Sequence, residues 1–149
     1  CLLFLHVDTL LSQQAAARMQ HLLPNPSLGC GAFSLGIQHP GKAFRLIETM
    51  ANLRNRVTRL PYGDQAPFFR KDYFDRLGGF AEIPLMEDVE IMQRVKKSKE
   101  RCRIFPEKVF TSARRWEKEG IVFCTLRNWT LISLYSLGVS PHRLARYYR

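Results

Sequence analysis

Apolar and polar residues alternate along this chain in two rhythms, and each rhythm predicts a kind of element. Residues 2–6 of the run Leu2-Leu3-Phe4-Leu5-His6-Val7-Asp8-Thr9 read as a buried strand that delivers His6 and Asp8 at its C-terminal end. If that strand persists, the two share a face. Ser12 can cap a helix over residues 13–23, favoured by Ala15-Ala16-Ala17 and ended by Pro24 and Pro26. Residues 31–37 form a strand of small residues that permits close approach of a ligand or another strand. A helix over residues 43–59 turns Phe44, Ile47, Ala51 and Leu53 inward and Arg45, Arg54, Asn55 and Arg56 outward. Pro61-Tyr62-Gly63-Asp64 is a turn. Residues 65–70 are a short strand or extended loop, and residues 72–77 a short helix stopped by Gly78. Short strands are expected at 103–105 and 109–111 around Pro106. Residues 121–149 read as two helices split at 138–141, the second starting at Ser140-Pro141.

The most telling stretch is Met86-Glu87-Asp88-Val89-Glu90-Ile91-Met92-Gln93-Arg94. From Asp88, the i+3, i+4 and i+7 positions are Ile91, Met92 and Val95, so Asp88 heads the apolar stripe of a helix over residues 87–97. Glu87, Glu90 and Arg94 fall on the other side. A carboxylate aimed at the mouth of a core is a candidate general base. The competing reading is that Glu87 and Asp88 only complement the positive end of the helix. His6 and Asp8 offer a nitrogen and an oxygen that could meet one divalent cation, with phosphate oxygens completing its shell. A strand-end aspartate is also a common turn former.

Taken in order, His6-Val7-Asp8, Gly31-Ala32-Phe33-Ser34-Leu35, Phe68-Phe69-Arg70-Lys71, Gly78-Gly79-Phe80, Glu87-Asp88 and Ser112-Ala113-Arg114-Arg115-Trp116 resemble the second half of a family-2 glycosyltransferase with the A-type nucleotide-sugar fold. The wording is most similar to a bacterial branch of small transferases encoded beside radical-SAM and selenium-domain genes. The resemblance implies a partial Rossmann-like α/β fold: a mixed sheet flanked by helices in residues 1–120, then C-terminal helices over 121–149. It implies inverting transfer of a sugar from a nucleotide-sugar donor to an unidentified acceptor. Asp8 and His6 would hold a Mg or Mn ion, and Asp88 would act as general base with Glu87 beside it. Asp64 and Gln65 would meet acceptor hydroxyls. Arg115 would stabilise the diphosphate, with Trp116 closing over it.

Three departures qualify the resemblance. His6 replaces the first aspartate of the usual metal motif. Ser112 stands where processive members carry glutamine. Cys1 leads straight into an apolar strand, as if the base- and ribose-binding half preceded it. The resemblance then implies a truncated protein with little transferase turnover on its own. Such a protein is expected to self-associate, most simply as a homodimer, through the uncovered strand at residues 2–6.

Composition agrees with one globular domain: 149 residues, 46% hydrophobic and 24% charged. Cys1, Cys30, Cys102 and Cys124 are scattered with no zinc-like spacing, and they read as free thiols in a reducing, cytoplasmic setting. The net charge of +10 is unevenly spread, since only Asp8 and Glu48 are acidic before residue 64. Three partners fit such a charge: nucleic acid, an anionic membrane face, or phosphorylated substrates. No nucleic-acid-binding motif supports the first. The apolar stretch 121–139 carries Arg127 and Asn128 inside it. A central arginine costs about 2.5–3.5 kcal/mol on insertion, so packing on the sheet or lying at the inner membrane interface is expected rather than spanning. Beside the transferase, two other classes stay open: a non-catalytic anion- or partner-binding fragment, and a basic module for membrane or nucleic acid.

Overall fold

The computed structural model describes residues 1–22, 28–98 and 102–148. Leu23, Pro24 and Pro26, the expected end of the first helix, lie outside the described residues. Five strands form one mixed sheet: β1 (Leu2–Leu3), β2 (Thr9–Leu11), β3 (Cys30–Gln38), β4 (Phe68–Phe69) and β5 (Arg103–Ser112), in the order β1-β4-β3-β5-β2. β3 and β5 pair in parallel, whereas β1–β4, β4–β3 and β5–β2 are antiparallel. The helices are α1 (Gln13–Leu22), α2 (Lys42–Thr58), α3 (Lys71–Leu77), α4 (Glu87–Lys97), α5 (Arg114–Glu119), α6 (Ile121–Ser136) and α7 (Pro141–Leu144), with tight turns at Gly63–Gln65 and Ala145–Tyr147. The molecule is therefore α/β, with helices flanking a mixed sheet, as expected.

β3 organises the core. Every residue from Cys30 to Ile37 is buried, as a strand covered on both faces requires. Its even positions Cys30 and Ala32 meet Tyr73 of α3 and Ile91, Met92 and Val95 of α4. Its odd position Phe33 packs with Ala15 of α1, and Leu35 and Ile37 pack with Phe44 of α2 and Ala113. The expected pair of strands around Pro106 is one strand. Pro106 sits where the β3–β5 register slips, Phe33 facing Phe105 but Ser34 facing Lys108. A bulge is one of the few places where a proline, lacking an N–H, is tolerated inside a ladder.

Local chemistry explains most boundaries. Ser12 Oγ accepts the Ala15 N–H at 3.1 Å and starts α1. Gly78 ends α3 at φ 84°, and Gly79 follows at φ 70°. These two left-handed residues need glycine, and they swing Phe80 onto Phe4, ring centroids 4.7 Å apart. Arg94 of α4 ties down the same turn: its guanidinium donates to Leu77 O, to Gly79 O at 2.7 Å and to Glu90 at 2.9 Å.

Several expectations need correction. The strand at residues 2–6 is only Leu2–Leu3, half-buried at the sheet edge beside β4. The chain then turns, with the Thr9 N–H donating to His6 O at 3.0 Å. His6 and Asp8 therefore sit on an exposed turn and not on one strand face. In α2, Leu53 is exposed while Asn55 is fully buried. Residues 114–119 form a separate helix, α5, before α6. As expected, all four cysteines are free. Among the described residues, no helix is long and apolar enough to cross a membrane.

The reason Asn55 turns inward is the short length of β4. β4 pairs with β3 only at Cys30 and Gly31, which leaves the rest of that β3 edge without a strand. Side chains fill the gap. Asn52 Oδ1 accepts the Leu35 N–H at 2.7 Å, and its Nδ2 donates to Leu35 O at 2.9 Å. Glu48 Oε1 accepts the Ile37 N–H at 2.6 Å, and Arg45 donates to Ile37 O at 2.6 Å. Gln65 Nε2 donates to Phe33 O at 3.3 Å. Buried backbone groups must be paired, and here helix side chains complete the ladder. Glu48 stays buried as an ion because Arg45 and Lys108 flank it at 2.8 and 2.9 Å.

Candidate functional site

At one end of the sheet the turn Gly63–Gln65 and the head of α4 come together. Gln65 anchors the turn. It is fully buried, its Oε1 accepts the Tyr62 N–H at 3.1 Å and the Asn55 Nδ2, and its Nε2 reaches Phe33 O. With every polar atom engaged inside the fold, Gln65 is a brace; the expected contact with an acceptor hydroxyl is not the role this position gives it. Asn55 is braced in turn, its Oδ1 accepting from Arg54 at 2.9 Å. The Arg54 guanidinium lies 3.6 Å over the Tyr62 ring.

The braced turn presents two groups. The Gly63 N–H donates to Asp88 Oδ2 at 2.7 Å, while Asp88 Oδ1 accepts the Val89 N–H at 2.7 Å. Asp88 is half-buried at the head of a stripe formed by Ile91, Met92 and Val95. Its carboxylate is thus oriented by two backbone donors, and each oxygen keeps a lone pair for a substrate proton. Met86, just before α4, takes φ 69° to bring the chain into this position. The second group is the carboxyl of Asp64. His6 packs against the back of the turn: a Cβ at Gly63 would come within 2.3 Å of His6 Nε2. Glycine at 63 leaves room for the His6 ring, which a larger residue there would push aside.

The electrostatics identify the cluster as unusual. Burial pushes the Asp64 carboxyl up to about 6; Arg54 opposes this, Asp88 and Asp8 add to it, and His6 counters. Asp64 retains some exposed surface as a residue, so the cost of burial falls on its carboxyl. Burial likewise raises the Tyr62 phenol, against Arg54 and with Asp88 and Asp64. Asp64 therefore feels groups from two other parts of the chain, Asp88 on one side and His6 and Asp8 on the other. Among the described residues, no group of three or more His, Cys, Asp or Glu is close enough to cage a metal. Glu87, the first residue of α4, is half-buried beside this cluster.

Because the folded form holds the Asp64 proton more tightly than the unfolded chain, the carboxyl favours folding most below its ordinary value of 3.8, and that contribution is lost as pH rises through about 6. Asp64→Asn is expected to raise stability by about 1–3 kcal/mol at pH 7.5 and to change it little near pH 4. Thermal melts at the two pH values check this; an equal gain at both would mean that the carboxyl is not perturbed.

The other expected ligands lie elsewhere. Trp116 packs with Leu35, Ile37, Phe44 and Ile121, its ring edge-on to Phe44 at 6.1 Å. It is a core plug, so closure over a diphosphate is not what this packing provides. Arg115 is exposed on α5 and donates to the Tyr148 hydroxyl. Tyr148 belongs to the apolar cluster that includes Tyr62, Met86, Val89 and Tyr135, so Arg115 reaches the rim of the site through Tyr148. Arg54, Tyr62 and Asn55 escaped the sequence reading. Asn55 had a usable signal: Phe44, Glu48 and Asn55 share one helical face, which marks a polar residue on a buried stripe. No family model matches the chain, and no curated protein and no solved structure is significantly similar to it.

Proposed function

We propose that this chain carries the acceptor-activating half of an inverting glycosyltransferase that uses a nucleotide-sugar donor. The observation that supports this reading most is the convergence of Asp88, Asp64, Asp8 and His6 at one sheet end. In this reading Asp88 takes the proton of an acceptor hydroxyl. The acceptor oxygen forms a bond to the anomeric carbon from one side as the bond to the phosphate oxygen breaks on the other. The nucleoside diphosphate leaves with the electron pair. The Gly63 and Val89 N–H groups hold the Asp88 carboxylate in position for that transfer. Asp64 lies beside it, able to accept a second hydroxyl.

A divalent cation fits the donor set in part. Asp8, exposed at its turn, and Asp64 are hard oxygen donors of the kind that Mg or Mn takes, and such ions are commonly completed by substrate phosphates and water. When bound, the ion would offset charge on the departing diphosphate. The repulsion that Asp88 and Asp8 exert on the Asp64 carboxylate is the cost that such an ion would relieve. His6, whose Nε2 lies against Gly63, would add a nitrogen donor to the ion by turning its ring from that contact.

The test is thermal stabilisation by UDP- or GDP-sugars with and without Mn. At a hundredfold excess over Kd, binding adds about 2.7 kcal/mol, or roughly 5–10 °C. The expected result is stabilisation that needs metal and is lost in Asp8→Asn. Absence of stabilisation by every nucleotide-sugar, with metal present, would sink the reading.

A further inference from the structure

α2 is inside out. Its polar residues Glu48, Asn52 and Asn55 face the protein, where they complete the β3 ladder and brace Gln65. Its apolar residues Leu46, Met50, Leu53 and Val57 face water, 63, 48, 60 and 76% exposed. They recur at i, i+4, i+7 and i+11, so they form one stripe. A surface helix of a globular protein shows the opposite arrangement. α6 repeats the anomaly: Val122, Leu126 and Trp129 share an outward face with Phe123 beside them, all more than half exposed. The charged residue of α6, Arg127, turns onto Glu119 at 2.6 Å. Ile121, at the start of α6, and Ile47 and Ala51 of α2 border one apolar cluster.

Charge indicates the partner. Lys42 and Arg56 are exposed along α2 and Arg59 follows it, while the Arg45 guanidinium is tied to Glu48 and to Ile37 O. The carboxylate of α2, Glu48, is buried. The nearest acids on α5 are occupied, Glu117 with His39 at 3.5 Å and Glu119 with Arg127. The surface is thus apolar and cationic, with an exposed tryptophan. We propose that α2 and the first half of α6 form a docking face for an anionic phospholipid surface. The helices would lie in the interface, apolar stripes among the acyl-chain ends, while lysine and arginine stems reach outward to the headgroups. Tryptophan favours that depth. A second copy of the chain is the poorer occupant, since two surfaces of this charge repel. The inference does not depend on the transfer reaction.

Vesicle co-sedimentation tests it, with phosphatidylcholine alone and mixed with phosphatidylglycerol. Trp129 emission is read in a Trp116→Phe background. Binding and a blue shift are expected with the anionic vesicles, with little of either on phosphatidylcholine, and salt should weaken both. Lys42→Glu and Arg56→Glu are each expected to lower partition at least fivefold. Leu53→Asp with Val57→Asp should abolish it. All four positions are exposed, so unchanged circular dichroism and melting would show that the fold survives. Equal binding to both vesicle types, or no binding to either, would overturn the proposal. So would a salt-resistant dimer in sedimentation that Leu53→Asp dissolves, which would assign the face to a second copy.

Discussion

Asp88→Asn is expected to lower sugar transfer by about 10²–10⁴-fold, the usual cost of losing a general base, with metal-dependent donor stabilisation retained. The substitution is nearly isosteric. The amide oxygen can still accept one of the two N–H bonds that now come from Gly63 and Val89 at 2.7 Å. Binding and fold should therefore persist while the proton has no acceptor. A rate ratio between variant and parent is sufficient, so slow turnover by the chain does not obstruct the measurement. Glu87→Gln in parallel separates the two carboxylates of the pair. If Asp88→Asn stays within a few-fold of the parent while Glu87→Gln is inert, the roles are reversed. If neither matters, the acidic pair only complements the positive end of α4.

Gln65→Leu is expected to cost at least about 3 kcal/mol of stability, or roughly 6–12 °C in a chain of this length. Leucine has similar bulk, so little cavity arises. The loss comes from three orphaned groups: the Tyr62 N–H, the Asn55 Nδ2 and Phe33 O. A buried polar group without a partner costs about 1–3 kcal/mol. The turn that carries Gly63 and Asp64 would loosen with it, so Asp88 would lose its external N–H donor. Chemical denaturation of Gln65→Leu and Gln65→Glu checks the argument. A loss under about 1 kcal/mol in the leucine variant would mean that water takes over these bonds and that Gln65 is not the brace.

Elements with strong periodicity were legible in the residues alone. α4 spans Glu87–Lys97 as its apolar stripe and acidic first turn require. α1 starts at its serine cap, and α3 ends at Gly78. Asp88 and Asp64 could be chosen as candidates, because a carboxylate heading an apolar stripe and one in a glycine turn are local facts. The strand at residues 2–6 was misjudged because apolar content does not say which neighbour exists. With β4 only two residues long, the pairing stops and the chain turns at His6. Asn55 and Leu53 exchanged places for the same reason: the open edge of β3 draws polar side chains inward, against the ordinary preference for apolar ones. Trp116 was expected over a ligand, and only the fold, which sets Phe44 and Leu35 around it, makes it a core residue.

What the sequence by itself determined is therefore local: helix starts and stops, the apolar stripe beneath Asp88, the paired glycines before Phe80 and the positive charge. What only the tertiary structure decided is how unconnected groups share a low-dielectric space. Burial pushes the Asp64 carboxyl up to about 6, with Asp88 and Asp8 adding to the shift and Arg54 and His6 opposing it. The missing strand beside β3 draws Glu48 and Asn52 of α2 inward beside Phe44, while Leu46, Met50, Leu53 and Val57 face solvent. Both follow from which backbone groups go unpaired and which charges are crowded, and neither can be read from spacing along one segment, because the partners lie tens of residues away.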